Sequence, residues 1–454
     1  MSDHDQKQAL SKKLYHQIER LTEEKKPQLL VAVSGGKDSM ALLHALVHGT
    51  DQYGYTLRAV HIHHGLRKQS DYEARLLQIA CKKWKVPLKV VYLDVKRDRQ
   101  KGESIEMAAR RLRYQALYEQ RKGKEWIVTA HHRSDVAETV LMHIIQGTGL
   151  KGLCGIPARN DKVIRPMLKI DQMEIVEYLN EHKIAHCEDQ SNADLRYLRN
   201  RIRHELLPLL REKYNPRIIQ SLSRLADRAQ EEEAYYKPLV QQLEQKAKKG
   251  EVANIGRWYD LLTLCEQPFP VLSRWASTVL VELGLRPEQC MIRKILDLIA
   301  RAGSDDLAQG WRIKSSNVLE FYQSTKKYQA ISIEIGKQHL GSWSIEVNPT
   351  IKPNAFPKKN DLIQYFDADA ISWPCMMRMK QPGDQMSMPY GKKSISNLQT
   401  DDKIPMTIRS HFPVIESQGQ ILWAVGVARS ELAKITMQTQ RMIEMRFTYT
   451  LEEE

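Results

Sequence analysis

The sequence predicts an α/β fold: a doubly wound parallel-sheet N-terminal domain, then a helical middle domain and a small α+β C-terminal domain. Three observations carry this reading. Residues 29–33, Leu-Leu-Val-Ala-Val, are an apolar run of strand length that needs burial on both faces, as in a parallel sheet. The run breaks at Ser34-Gly35-Gly36 and passes through Lys37-Asp38-Ser39 into good helix formers at 40–46. Strand-like and helix-like segments then alternate up to about residue 215, as strand–helix–strand crossovers do.

Each later element follows from its own pattern. Residues 57–62 read as a second strand, 71–84 as a helix and 88–93 as a third strand. Residues 104–120 are spaced as a helix, and 126–130 form a fourth strand running into His131-His132. In such a sheet, ligands bind at the carboxyl ends of the strands, where the loops after Val33, Ile62 and Ala130 all fall. Beyond Asn215 the character changes. Residues 218–249 and 259–300 read as helices, and alternating strands such as 342–347 follow. A proline-bearing stretch at 348–357 suggests a connection, and short strands and turns fill the tail from 373. These shifts place domains at 1–215, 216–360 and 361–454.

Composition bounds the function. At 454 residues the chain exceeds what one core supports, and 42% hydrophobic residues exclude global disorder. A net charge of +14 calls for a polyanionic partner or an acidic surface. The polar first 20 residues and the lack of a long apolar run indicate neither signal peptide nor membrane span. The six cysteines (81, 154, 187, 265, 290 and 375) are scattered, with no Cys-x-x-Cys. They indicate neither a disulfide framework nor a zinc ribbon, and a reducing, cytoplasmic compartment is expected.

A strand that turns through serine and glycines into a helix leaves free N–H groups and a positive dipole end facing one spot. That is an anion site. The spacing is neither a Walker A loop nor the three-glycine dinucleotide fingerprint. It resembles the SGGxDS loop of the ATP-pyrophosphatase (PP-loop) family, whose members cleave ATP between the α- and β-phosphates. The resemblance implies that Ser34 and Ser39 offer hydroxyls, Gly35, Gly36, Lys37 and Asp38 offer backbone N–H groups, and Lys37 adds charge. Asp38 repels phosphate, so its expected work is to hold Mg²⁺ beside the polyphosphate. A tight turn with glycines for packing alone is the structural alternative.

Further motifs narrow the resemblance: HIHHGLR at 61–67, EMAARRLRY at 106–114, TAHHRSDVAET at 129–139, GLKGLCGI at 149–156, RPML at 165–168 and LRNRIRHELLP at 198–208. With SGGKDS, and in this order, they resemble the tRNA(Ile)-lysidine synthetase family across the N-terminal half. The stretch GKKSISNLQTDDKIPMTIRS, followed by ILWAVG, is similar to that family's last domain, while the middle matches only in general character. The resemblance implies a PP-loop catalytic domain at 1–215, a helical tRNA-binding domain at 216–360 and a tRNA-recognition domain at 361–454. The implied reaction ligates free L-lysine to C2 of the wobble cytidine of isoleucine tRNA with a CAU anticodon. ATP adenylates the C2 carbonyl oxygen with loss of pyrophosphate, and the lysine ε-amine then displaces AMP, giving lysidine. The cofactors are ATP and Mg²⁺. The partners are that tRNA, free lysine and, in a homodimer, a second copy, with no membrane.

An ε-amine with an ordinary pKa of ~10.4 must lose a proton before it attacks, and a pocket for a cation wants carboxylates. Asp135 and Glu138, three apart on the first turn of a helix starting near 134, meet that need, with His132 as a polar contact to substrate or phosphate. Acids that merely complement the helix dipole are the alternative. His61 and Ile62 are assigned to the nucleotide through backbone packing on adenine, with His64 and Arg67 near nucleotide or tRNA. A lone His61–His63 pair is weak ground for zinc. Arg110 and Arg113 are expected to serve phosphate or RNA, against a solvated face with a Glu106–Arg110 pair, and Tyr114 to pack. Arg199 and Arg201 are assigned to the anticodon stem, and Lys392, Lys393 and Arg409 to the acceptor region. Arg203 is expected to reach the active site, completing a catalytic set of Asp38, His132, Asp135, Glu138 and Arg203. A tRNA thiolase of the same superfamily and an ATP-holding sensor are the other functions considered.

Overall fold

A computed structural model describes residues 3–63, 65, 69–100, 102–187, 195–252, 255–324, 328–351, 355–358 and 361–449. His64 and Arg67 lie outside the described residues. The chain divides into two compact units, Met1–Ala234 and Tyr235–Glu454.

The first unit runs α1 (Asp3–Thr22), β1 (Gln28–Ala32), α2 (Lys37–Tyr53), β2 (Thr56–His63), α3 (Gln69–Lys83), β3 (Leu88–Tyr92), α4 (Ile105–Gln120) and β4 (Trp126–Val128). It continues with α5 (Arg133–Gln146), α6 (Leu150–Leu153), β5 (Arg159–Asn160), β6 (Val163–Ile164) and α7 (Gln172–Glu181). The sheet order is β3-β2-β1-β4-β6-β5, parallel throughout except for β5. Both faces are buried, as the β1 run requires: Leu29 and Val31 pack with Met40, Leu43 and Leu46 of α2, and Leu30 packs with Ala116 and Leu117 of α4.

Helix α1 is an element the sequence reading leaves out. Leu10, Leu14, Ile18 and Leu21 recur at helical spacing and are all buried in the same cluster as β1 and α2. At about 1.5–3 kcal/mol per buried side chain, this stripe anchors an otherwise charged helix.

The strand order reverses at β1, which has β2 on one side and β4 on the other. Such a switch point opens a crevice at the carboxyl edge, between the loops after β1 and β4. A second helical tract then follows: α8 (Leu198–Arg201), a π-helical turn at Ile202–Leu206, α9 (Leu207–Lys213) and α10 (Ile218–Ala247). Pro208 explains the wide turn. It has no N–H to donate and its ring crowds the preceding turn, and Leu207 N–H reaches back to Ile202 O, five residues away.

The second unit differs from the expected pattern in its middle part. Helices Phe269–Glu282 and Gln289–Ala300 are present, but a five-stranded antiparallel sheet accompanies them, built from Lys248–Val252, Gly256–Asp260, Val318–Gln323, Trp311–Ser315 and Gly303–Asp306. Tyr259, expected to open a helix, lies in a strand, with its hydroxyl donating to Glu244 at 3.1 Å. A four-stranded antiparallel sheet draws on both sides of residue 360: Trp343–Thr350 and Ile363–Asp367 both pair with Met442–Tyr449. Another antiparallel sheet, containing Cys375–Met379, Pro413–Ser417 and Gln420–Ala424, packs around the buried Trp423.

Candidate functional site

The loop between β1 and α2 is built for an anion. Gly35 sits at φ +85°, a conformation side chains disfavour, and its carbonyl accepts the Cys187 N–H at 2.9 Å. Ser39 Oγ donates to Gly36 O at 2.9 Å and accepts the Ser34 N–H at 3.2 Å, which closes the turn. Gly36 heads α2 with no side-chain cap, so the first turn of this 17-residue helix presents N–H groups and its positive end to the crevice. Lys37 and Asp38 stand on that turn.

Asp38 fits the cation assigned to it. Its Oδ1 is buried with no hydrogen-bond partner, an arrangement that disfavours a bare carboxylate and suits a bound cation. Among the described residues, no group of three or more His, Cys, Asp or Glu could hold a metal alone. Mg²⁺ takes one or two carboxylates and completes its shell with phosphate oxygens and water, so the unpartnered Asp38 oxygen is the feature that fits it.

The second wall of the crevice comes from the end of β4. His132 caps α5: its Nδ1 accepts the Ser134 N–H at 3.2 Å, and its own N–H donates to Asp135 Oδ2 at 2.9 Å. This bond selects the tautomer with the proton on Nε2, which faces Asp38 Oδ2 at 3.7 Å and Asp135 Oδ2 at 3.6 Å. The juxtaposition joins the two loops into one site. Burial pushes the His132 pKa down, but the facing Asp38 carboxylate and the charges of Asp135 and Glu138 outweigh it and raise the pKa overall. The neighbouring His131 has the opposite balance: burial and the charges of Arg165, Arg113 and Arg199 hold it down to about 3, against the pull of Asp135, so it is neutral.

Asp135 and Glu138 are both buried, and two arginines hold them. Arg203 Nε donates to Glu138 Oε1 at 2.6 Å, and its Nη2 donates to Glu138 Oε2 at 2.8 Å and to Asp135 Oδ1 at 3.2 Å. Arg199 Nε donates to Glu138 Oε2 at 2.9 Å, and its Nη2 to Asp135 Oδ1 at 3.1 Å. Burial alone would raise the Asp135 pKa; His132, His131, Arg199 and the backbone bond pull it below the ordinary range. Asp135 therefore combines the capping role with a place in the site.

The structure brings Asp38, His132, Asp135, Glu138 and Arg203 together. It also brings in Arg199, which the sequence reading sets on the anticodon stem; Arg201 alone of that pair is exposed. The reason is helical phase, since Arg199 and Arg203 are four apart and share the inner face. The Ile62 side chain belongs to the core with Val60 and Leu117, so only its backbone can meet a nucleotide. His61 turns inward, with Nδ1 donating to Val33 O at 2.9 Å, and burial lowers its pKa. His63 lies near Asp71 at 3.2 Å, and no metal cluster forms among the described residues.

Arg110 is exposed and makes no ion pair with Glu106 among the described residues; Arg113 is half-buried. Their guanidinium carbons lie 5.3 and 5.4 Å from the Tyr114 ring centre. In the second unit, Lys393 is paired with Asp401, and Arg409 Nε donates to Ile404 O at 2.9 Å. Sequence reasoning missed Arg165, which lies in the RPML motif and is buried just after β6.

Comparison with known proteins agrees with this geometry. A family profile described as the PP-loop domain matches residues 7–210, and one described as the TilS substrate C-terminal domain matches residues 375–445. The tRNA(Ile)-lysidine synthase of Bacteroides thetaiotaomicron is 31% identical over 92% of this chain and 94% of its own. That of Clostridium tetani is 28% identical over 94% of this chain and 96% of its own. The Caldanaerobacter subterraneus enzyme of that name is 28% identical over 94% of both chains. With a glycine–serine anion loop, a buried unpartnered carboxylate beside it and relatives matched over more than nine-tenths of both chains, the chain belongs to the tRNA(Ile)-lysidine synthase family.

Proposed function

We propose that this protein ligates free L-lysine to C2 of the wobble cytidine of isoleucine tRNA bearing a CAU anticodon, using ATP and releasing pyrophosphate and AMP. The observation that carries the reading is the meeting of the 34–39 loop and the β4 end, with Asp38 and His132 3.7 Å apart. A polyphosphate held at the uncapped α2 N-terminus would lie at the same edge of the sheet as that pair. Mg²⁺ held by Asp38 would neutralise charge on the departing pyrophosphate. Ser34, Ser39, Lys37 and the loop N–H groups orient the chain of phosphates, so the cytidine O2 is the attacking atom and pyrophosphate leaves.

The second step suits the Asp135–Glu138–Arg199–Arg203 group. Free lysine carries ammonium and carboxylate, and this group offers acids for the first and arginines for the second. The carboxylates accept the proton that the ε-amine must lose before it attacks C2 and expels AMP. Arg201, Arg110 and Arg113 meet RNA phosphate, and the regions 216–360 and 361–454 bind and recognise the tRNA. The scattered cysteines, with no Cys-x-x-Cys, suit a reducing cytoplasm, and no helix among the described residues is long and apolar enough to cross a membrane. A homodimer is part of the proposal, read by the mass in solution. Burial pushes the Cys81 thiol up to about 11 and raises Cys187 as well, which disfavours the thiolate a thiolase would use.

The test is product analysis of the anticodon nucleoside after incubation with tRNA, ATP and labelled lysine. Labelled lysidine, with pyrophosphate release that depends on tRNA, is expected. Pyrophosphate release without lysine incorporation would overturn the reading.

A further inference from the structure

Three arginines surround one tyrosine at the carboxyl edge of the sheet. Arg165 follows β6 directly and is only 5% exposed. Its Nη1 donates to Pro157 O at 2.8 Å and its Nη2 to the Tyr114 hydroxyl at 3.3 Å, while the buried Nε has no hydrogen-bond partner. Arg110 and Arg113 flank the same ring. Among the described residues, none of the three forms an ion pair with a carboxylate. Arg111, on the same helix, shows the contrast: it is paired with Glu103 at 2.8 Å.

A buried guanidinium with no counter-charge and an idle donor is unfavourable unless an anion completes it. The group borders the reacting centre: β6, which Arg165 follows, pairs with β4, and Thr129 N–H donates to Ile164 O at 3.1 Å three residues before the His132 cap. Burial would raise the pKa of the Tyr114 hydroxyl, yet Arg165, Arg113 and Arg110 together lower it, the signature of uncompensated positive charge.

We propose that Arg165 and Arg113 form a cradle for a phosphate ester beside the target base, with Tyr114 as the positioning residue that sets the Arg165 fork. The fork geometry suits two oxygens of one phosphate. That phosphate has two sources: a phosphodiester flanking the target nucleotide, or the α-phosphate that ATP transfers to it. The inference rests on the ligase reading above and adds Arg165 and Tyr114 to it.

The test uses the full chain carrying Arg165→Gln, Arg165→Lys or Tyr114→Phe. Isoleucine tRNA binding is measured without ATP across a salt series, and ATP binding is measured without tRNA. If the phosphate belongs to the RNA, Arg165→Gln raises the tRNA Kd about tenfold and lowers the log–log salt slope by about one, with ATP affinity unchanged. If it belongs to the nucleotide, the ATP Kd rises by about the same factor and the salt slope stays. Arg165→Lys keeps the charge but loses the fork, so it restores the salt slope without full affinity. Tyr114→Phe shifts the same constant by about threefold.

Unchanged tRNA and ATP constants in folded Arg165→Gln overturn the cradle. If that variant does not fold, unchanged constants in folded Tyr114→Phe overturn it. Normal lysidine formation by the parent chain alongside unchanged constants sinks the cradle alone. A parent chain that incorporates no lysine, with the Arg165 effect present, sinks the ligase reading alone.

Discussion

Two arginine groups in the first unit are built in opposite ways. Arg199 and Arg203 meet two buried carboxylates, with every donor distance at 3.2 Å or less, so cations and anions balance. Arg110, Arg113 and Arg165 gather round Tyr114 with no carboxylate partner among the described residues. In the first group charge is balanced inside the protein, so a zwitterion could enter only by exchanging partners; in the second no carboxylate among the described residues offsets the charge, which is the place the proposed phosphate would take. Counting arginines therefore says little until their partners are known, and the charge of a site is decided by pairing.

The largest expected effect breaks the 34–39 loop. Asp38→Asn is expected to slow adenylation roughly a hundred- to thousandfold, because the cation that stabilises the departing charge is lost. The tRNA affinity stays near the parent value. Near-normal AMP formation at saturating Mg²⁺ would refute the role of Asp38.

Next comes the balanced group. Glu138→Ala leaves two arginines facing each other and is expected to lose about 3 kcal/mol in denaturant unfolding. The low end of the range applies because both arginines are about a third exposed, at 34% and 31%. The same variant, and Asp135→Ala, should weaken lysine use more than ATP use. Unchanged lysine dependence in both would leave the acids as cap and scaffold only.

The pH dependence sharpens the comparison further. His131 is held down to about 3, so it favours the folded state above its ordinary value and withdraws that support as pH falls. Between pH ~6.5 and ~3 the loss is expected at about 1 kcal/mol per pH unit, and His131→Asn should flatten that limb. Asp135, also lowered, adds stability above pH ~4 that disappears as pH falls through its folded value. His132 is raised, so its contribution is full below pH ~6.5 and is lost as pH rises through its folded value. Equal acid limbs in the parent and His131→Asn would contradict this assignment.

The smallest effect separates Arg201 from Arg199. Arg201→Ala should lower the salt slope of tRNA binding by about one and leave stability within about 0.5 kcal/mol. Arg199→Ala should instead destabilise the fold by roughly 1–2 kcal/mol, since it strips a partner from Glu138. The reverse pattern would show that Arg199 faces the RNA.

The parallel sheet and the anion loop were readable because their information is local. The 29–33 run, its break at Gly35-Gly36 and the helix formers behind it lie within one stretch, and the chemistry comes from backbone N–H groups that the turn exposes. Helix α1 was missed, because its charged residues mask the stripe of Leu10, Leu14, Ile18 and Leu21 that buries it. The strands at 248–260 were not, because Lys-Lys-Gly-Glu-Val carries no clear alternation and pairs only through neighbours far along the chain.

By itself the sequence determined the fold class, the phosphate loop and the family, all of which depend on short contiguous patterns. Only the tertiary structure decided which arginines are paired. Arg199 and Arg203 meet acids more than sixty residues earlier, at separations of 61 and 65 from Glu138, and Arg165 comes beside Tyr114 across 51 residues. Whether a guanidinium points in or out depends on helix phase, set here through the wide turn at Ile202–Leu206, and on which strand ends the sheet order brings together. Those are long-range packing choices, and no local spacing encodes them.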